Sequence, residues 1–214
     1  MGARVLRTAL QASVVALLPA IAPAIPITGT GAWGSFEGTF DYDSAAGIVS
    51  VTLTNTSAAA NGGYITAFAF NLPDPEAVGS AALSVAAPNF TLMYMVDGVA
   101  APPLGFFDIG ATTDPGSSPS WLGGGNPNRG IAVGATGSFQ FTLVTSEVWT
   151  AEQILSELSV PTSPAHDGHP FAVRFRGFEN GESDKVVGAV VPEPATLLLL
   201  GSGLTGLALR RRRR

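Results

Sequence analysis

FAVRFRGF, residues 171–178, alternates strictly: Phe171, Val173 and Phe175 fall on one side of an extended chain, Arg174 and Arg176 on the other. Successive side chains of a strand point to opposite faces, so this stretch is a strand with one face in a core and one face polar. The same period recurs upstream. In 36–42, Phe36, Gly38, Phe40 and Tyr42 alternate with Glu37, Thr39 and Asp41. In IVSVTLT, 48–54, Val49, Val51 and Leu53 oppose Ser50, Thr52 and Thr54. In 138–145, Phe139, Phe141 and Leu143 oppose Gln140 and Thr142. YITAFAFNL, 64–72, is apolar on both faces and reads as a central strand. FTLMYMV, 90–96, ended by Asp97-Gly98, and the shorter 104–109 complete the set.

Gly, Asn and Pro clusters separate these segments, as strand ends require. Seven to nine such strands predict an all-β body, an antiparallel two-sheet sandwich or jelly roll. One short helix is expected. Thr150-Ala151-Glu152-Gln153 has the capping-box pattern, with Ile154, Leu155 and Leu158 as its apolar face and Pro161 as its stop. The stretches 73–88 and 112–130 are rich in Pro, Gly, Ala and Ser and read as irregular. No tandem repeat of fixed period appears.

Both chain ends read differently from this body. Residues 1–24 carry Arg4 and Arg7, an apolar middle over 12–18, then Ala22-Pro23-Ala24. A basic start, a short apolar core and small residues at the cut are the marks of a secretory signal peptide, with cleavage by signal peptidase after Ala24. At the other end Pro192-Glu193-Pro194 is followed by an uncharged apolar run, 195–209, and by Arg210, Arg211, Arg212, Arg213 and Arg214. Fifteen residues make about 22 Å of helix at about 1.5 Å per residue, short of a hydrocarbon core of about 30 Å. Bilayer thinning and snorkelling of the arginines close part of the gap. The arginines belong on the cytoplasmic side, which puts the body outside. The expected organisation is therefore 1–24 signal peptide, 25–190 β-sandwich body and 191–214 sorting tail with a short transmembrane helix.

The order Val191-Pro192-Glu193-Pro194-Ala195-Thr196, apolar run and arginine cluster resembles the PEP-CTERM sorting signal of Gram-negative bacteria. That resemblance implies recognition by an exosortase, a membrane-embedded cysteine transpeptidase-like enzyme, and removal of the tail near Pro192-Glu193-Pro194. It also implies an inner-membrane-anchored precursor with its body in the periplasm. Display on the surface or release follows, often in bacteria that make exopolysaccharide and biofilm.

With the two ends set aside, residues 25–191 hold four basic residues (Arg129, Arg174, Arg176, Lys185) against fifteen acidic ones, a net charge of −11. Such a body is a poor partner for nucleic acid or anionic lipid. Cysteine is absent, so no disulfide supports the fold.

Candidate chemistry is sparse. Asp41 and Asp43 share a strand face, but a calcium site there would need further oxygen ligands in a tight loop and the EF-hand pattern is missing, so calcium is an alternative to the expectation of no cofactor. His166-Asp167-Gly168-His169 lies between Pro164 and Pro170 and reads as a solvated turn rather than a zinc site. Gly201, Gly203 and Gly206 match the letters of a dinucleotide fingerprint but lie in the apolar tail, outside any βαβ unit. Trp121, among the glycines of the 112–130 loop, is a candidate for glycan contact or, alternatively, a loop anchor at the core edge. The expectation is an exported, non-enzymatic surface or matrix protein. The alternatives are a carbohydrate-binding module acting on exopolysaccharide and a secreted hydrolase.

Overall fold

A computed structural model describes residues 23–114, 121, 126–163 and 167–192. Eleven strands run through it: β1 Ile25–Thr30, β2 Ser35–Asp43, β3 Ile48–Asn55, β4 Gly62–Phe70, β5 Val78–Val85, β6 Thr91–Ala100, β7 Phe106–Thr112, β8 Ile131–Ala132, β9 Thr136–Thr145, β10 Phe171–Phe178 and β11 Ser183–Val190. The α-helix α1 spans Ala151–Ile154.

Every pairing is antiparallel, in the order β5-β9-β3-β2-β1-β11-β10-β4-β7-β6, with β8 added to β4. The array folds over on itself between β1 and β11. Those strands share only two register pairs, Ile27↔Val190 and Thr28↔Ala189. On the far side the edges β5 and β6 approach one another, so the sandwich is nearly a closed barrel.

The core lies between the two faces and is built from the alternating residues that mark the strands in the sequence. Phe40, Val51, Phe139 and Phe141 come from one sheet, and Phe68, Phe70 and Phe171 from the other. Phe68 meets Phe139 edge-on at 4.7 Å between ring centroids, and Phe40 meets Phe70 at 5.2 Å. Such tilted pairs add about 0.5–1.5 kcal/mol to the burial of the rings themselves.

The seven expected strands are present, and four more join them. The Pro73–Pro88 stretch is not irregular throughout: Val78–Val85 forms β5, an edge strand on β9. Pro75 instead opens a short 3-10 turn capped by the Asp74 carboxylate, and Pro88 falls beyond the strand. β1, β8 and β11 were likewise not anticipated.

The capping box of α1 forms as expected. The Thr150 N–H donates to Gln153 Oε1 at 2.8 Å and the Gln153 N–H to Thr150 Oγ1 at 3.2 Å. The helix itself is one turn. Ile154 and Leu155 are buried, but Leu158 lies beyond it with 59 % of its surface exposed. A single turn has too few internal hydrogen bonds to stand alone, so packing sets its length.

Candidate functional site

The two segments that border the expected processing sites meet in the fold. β1 begins one residue after Ala24, and β11 ends two residues before Pro192. The Val191 N–H donates to the Pro26 carbonyl at 2.9 Å, extending the β1–β11 ladder by one bond. Pro26 has no N–H to give, which suits a position near the start of a strand. Beside this seam lies an open groove of about 380 Å³, lined among others by Ile25, Pro26, Leu155, Val190, Val191 and Pro192. Ala24 is exposed at its margin. Ala22, Glu193, Pro194 and Arg210, Arg211, Arg212, Arg213 and Arg214 lie outside the described residues, as does the expected transmembrane helix. Among the described residues no helix is long and apolar enough to cross a membrane.

Trp121 sits elsewhere. Its ring is 1 % exposed and packs on the outer side of the β10–β4–β7 sheet with Ala67, Ala69, Met93, Phe107 and Ala172. Its backbone N–H donates to the Ala100 carbonyl at 3.3 Å, and its backbone carbonyl accepts from Arg174 Nη1. This is the loop-anchor arrangement; no ring face is open to a sugar. Burial, with the nearby Arg176 charge adding to it, pulls the Arg174 guanidinium down to about 10, still charged at neutral pH.

The other candidates are held by local hydrogen bonds to the backbone. Asp43 Oδ1 accepts from the Ala45 and Ala46 N–H groups and so closes the β2–β3 hairpin, which Gly47 completes at φ +66°. Asp41 accepts from the Tyr42 N–H. Among the described residues no three His, Cys, Asp or Glu side chains gather as a metal site would require. His166 lies outside the described residues. His169 is fixed through its backbone, with its N–H on Ser159 Oγ and its carbonyl accepting from the Ser159 N–H at 2.9 Å.

One carboxylate escaped the sequence reading. Asp108, 2 % exposed on β7, accepts from the Asp97 N–H at 2.7 Å and from the Leu72 N–H at 2.9 Å. Asp97 has φ +47° and lies where the β6–β7 register shifts, so Asp108 staples an irregular stretch of β6 to the end of β4. Burial raises its carboxyl above the usual carboxylate range. The two N–H bonds pull the other way, and the charges of Asp97 and Glu157 add to the rise. An acid raised by folding binds its proton more tightly folded than unfolded. Its contribution to stability is therefore full at low pH and lost as pH rises through the folded value. Asp108→Asn offers one oxygen for two N–H donors. It is expected to cost about 1–3 kcal/mol at neutral pH and to flatten that part of the stability–pH curve, as denaturant melts across pH will read.

The family model for the PEP-CTERM protein-sorting motif matches residues 190–213. The chain carries a PEP-CTERM motif. No curated protein and no solved structure matches the chain significantly. The motif opens on Val190, the last residue of β11, so it abuts the seam with no spacer. It implies export, processing by an exosortase and delivery to the cell surface.

Proposed function

We propose that this protein is a surface or extracellular-matrix component whose β-sandwich body does its work without catalysis, after export and exchange or removal of its C-terminal tail. The observation that carries this reading is the PEP-CTERM motif at 190–213, joined directly to the final strand. The precursor is held in the inner membrane by 195–209 with its body in the periplasm, and cleavage near Pro192-Glu193-Pro194 frees it. The acidic body and the lack of cysteine suit a soluble exported domain that needs no oxidative folding.

Deleting 192–214 tests the proposal cleanly, because all eleven strands end before Pro192. The truncated chain is expected to keep its fold and lose surface attachment and processing. Display equal to that of the full chain, followed by whole-cell labelling, would count against the proposal. An exopolysaccharide-binding role rests on the sandwich architecture alone, since the Trp121 ring is committed to packing.

A further inference from the structure

The end of the sandwich from which the sorting tail departs is also where exposed apolar side chains collect. The registers define that end. From Val190 they run through Ile27, then Ile25↔Phe40, Asp43↔Ile48 and Ile48↔Thr142 to the loop after β9. On the other sheet they run from Gly188 through Phe171↔Phe70 and Phe70↔Ile109 to Phe106, which bridges to Val160. Val148, Leu158, Val160, Val190 and Val191 all lie here and are all exposed, Val148 to 77 %. Beside the last two opens the groove that Ile25 and Leu155 line. Trp33, also exposed, lies at the opposite end.

The length of the connection says what covers this end. Only Pro192, Glu193 and Pro194 separate Val191 from the apolar run that begins at Ala195. The four Cα–Cα steps from Val191 to Ala195 reach at most about 14 Å. The headgroup zone is itself about 5–8 Å deep on each side. A tail inserted from Ala195 onward therefore holds the end of β11 against the headgroups.

We propose that this end is a membrane-facing surface that seats Val148, Leu158, Val190 and Val191 on zwitterionic phospholipid. The proposal rests on the tail-anchored reading above. The charge pattern selects the lipid. The exposed acids Asp43, Glu147, Glu152 and Asp167 rim this end, while Arg129 and Arg176 fall toward the other. Anionic headgroups are repelled across a Debye length of about 8 Å.

The chain has no cysteine, so single-cysteine variants of the full-length protein give clean reporters. Val148→Cys, Ala59→Cys at the opposite end and Leu200→Cys in the tail are labelled with an environment-sensitive dye. Each is then reconstituted in phosphatidylcholine vesicles with or without phosphatidylglycerol. The expected result is a blue shift and quenching by lipid-borne nitroxide at positions 200 and 148, and neither at 59. Phosphatidylglycerol is expected to weaken the effect at 148 alone. Quenching at 200 with a water-exposed 148 overturns this inference and leaves the tail anchor standing. A water-exposed 200 overturns both. Shielding of 148 from lipid nitroxide and from aqueous iodide alike means that a second copy covers the face, which also overturns it.

Discussion

Phe171→Ala is expected to destabilise the body by about 3–5 kcal/mol, the range for removing a buried aromatic ring. Phe171 is 1 % exposed and stands where the two sheets converge. It stacks on Phe68 at 5.8 Å and Phe70 at 6.3 Å, tilts against Phe36 at 6.0 Å and meets Phe40 edge-on at 6.5 Å. Those four rings come from β2 and β4, so one truncation loosens both faces at once. The cavity cannot close easily, because its walls are aromatic rings already packed on others. In a domain of this size each kcal/mol moves the melting midpoint by about 2–4 °C, so a drop of roughly 6–20 °C is expected. Phe171→Leu keeps most of the volume and is expected to lose less. Thermal melts followed by circular dichroism read both. A fall of only a degree or two for the alanine variant would show that the sheets do not meet through this ring.

Replacing Arg210, Arg211, Arg212, Arg213 and Arg214 together by serine is expected to abolish retention of the tail in the membrane, and with it ordered processing. A charge crossing the membrane against the potential costs about 2.3 kcal/mol per 100 mV, so five arginines together resist translocation by about 12 kcal/mol at that potential. Neutral serines leave a 15-residue apolar run, shorter than the bilayer core, with nothing to stop it from sliding through. Protease protection of a C-terminal tag measures the outcome. A tag still held on the cytoplasmic side would show that the apolar run alone fixes the orientation. Replacement by five lysines keeps the charge and is expected to keep the topology.

The same rules explain which parts of the fold could be read from the chain. β2, β3 and β9 are legible because each has one face in the core and one outside, which writes a period of two into the sequence; β10 shows the same period through Arg174 and Arg176, although packing under Trp121 buries Ala172 and Arg174 on its second face. β5 was hidden. It is an edge strand rich in Ala and Ser, with Val78 its only buried apolar residue, so its alternation is faint. β1 and β11 were hidden by their neighbours: Pro26 argues against a strand until its position at the strand start is known. The Asp108 staple was also invisible, because its donors, the Leu72 and Asp97 backbone N–H groups, are 36 and 11 residues away in sequence. Trp121 was legible as an anchor or a sugar contact, and only packing separates the two. The sorting motif was plain because its physics is linear, with proline, apolar run and charge following one another in sequence order.

The juxtaposition of β1 and β11 adds a topological point. The strand that follows the expected signal-peptide cut and the strand that leads into the sorting motif close the sandwich together. Chain ends held side by side leave both processing sites on one end of the molecule, the end that faces the membrane under the proposal above.

Mass spectrometry of the protein recovered from its native cells tests the central claim most directly. Removal of both ends predicts a mature chain that starts at Ile25 and stops near Pro192-Glu193-Pro194, recovered outside the cytoplasm. A chain that still runs from Met1 to Arg214, found dissolved in the cytosol, would contradict the account.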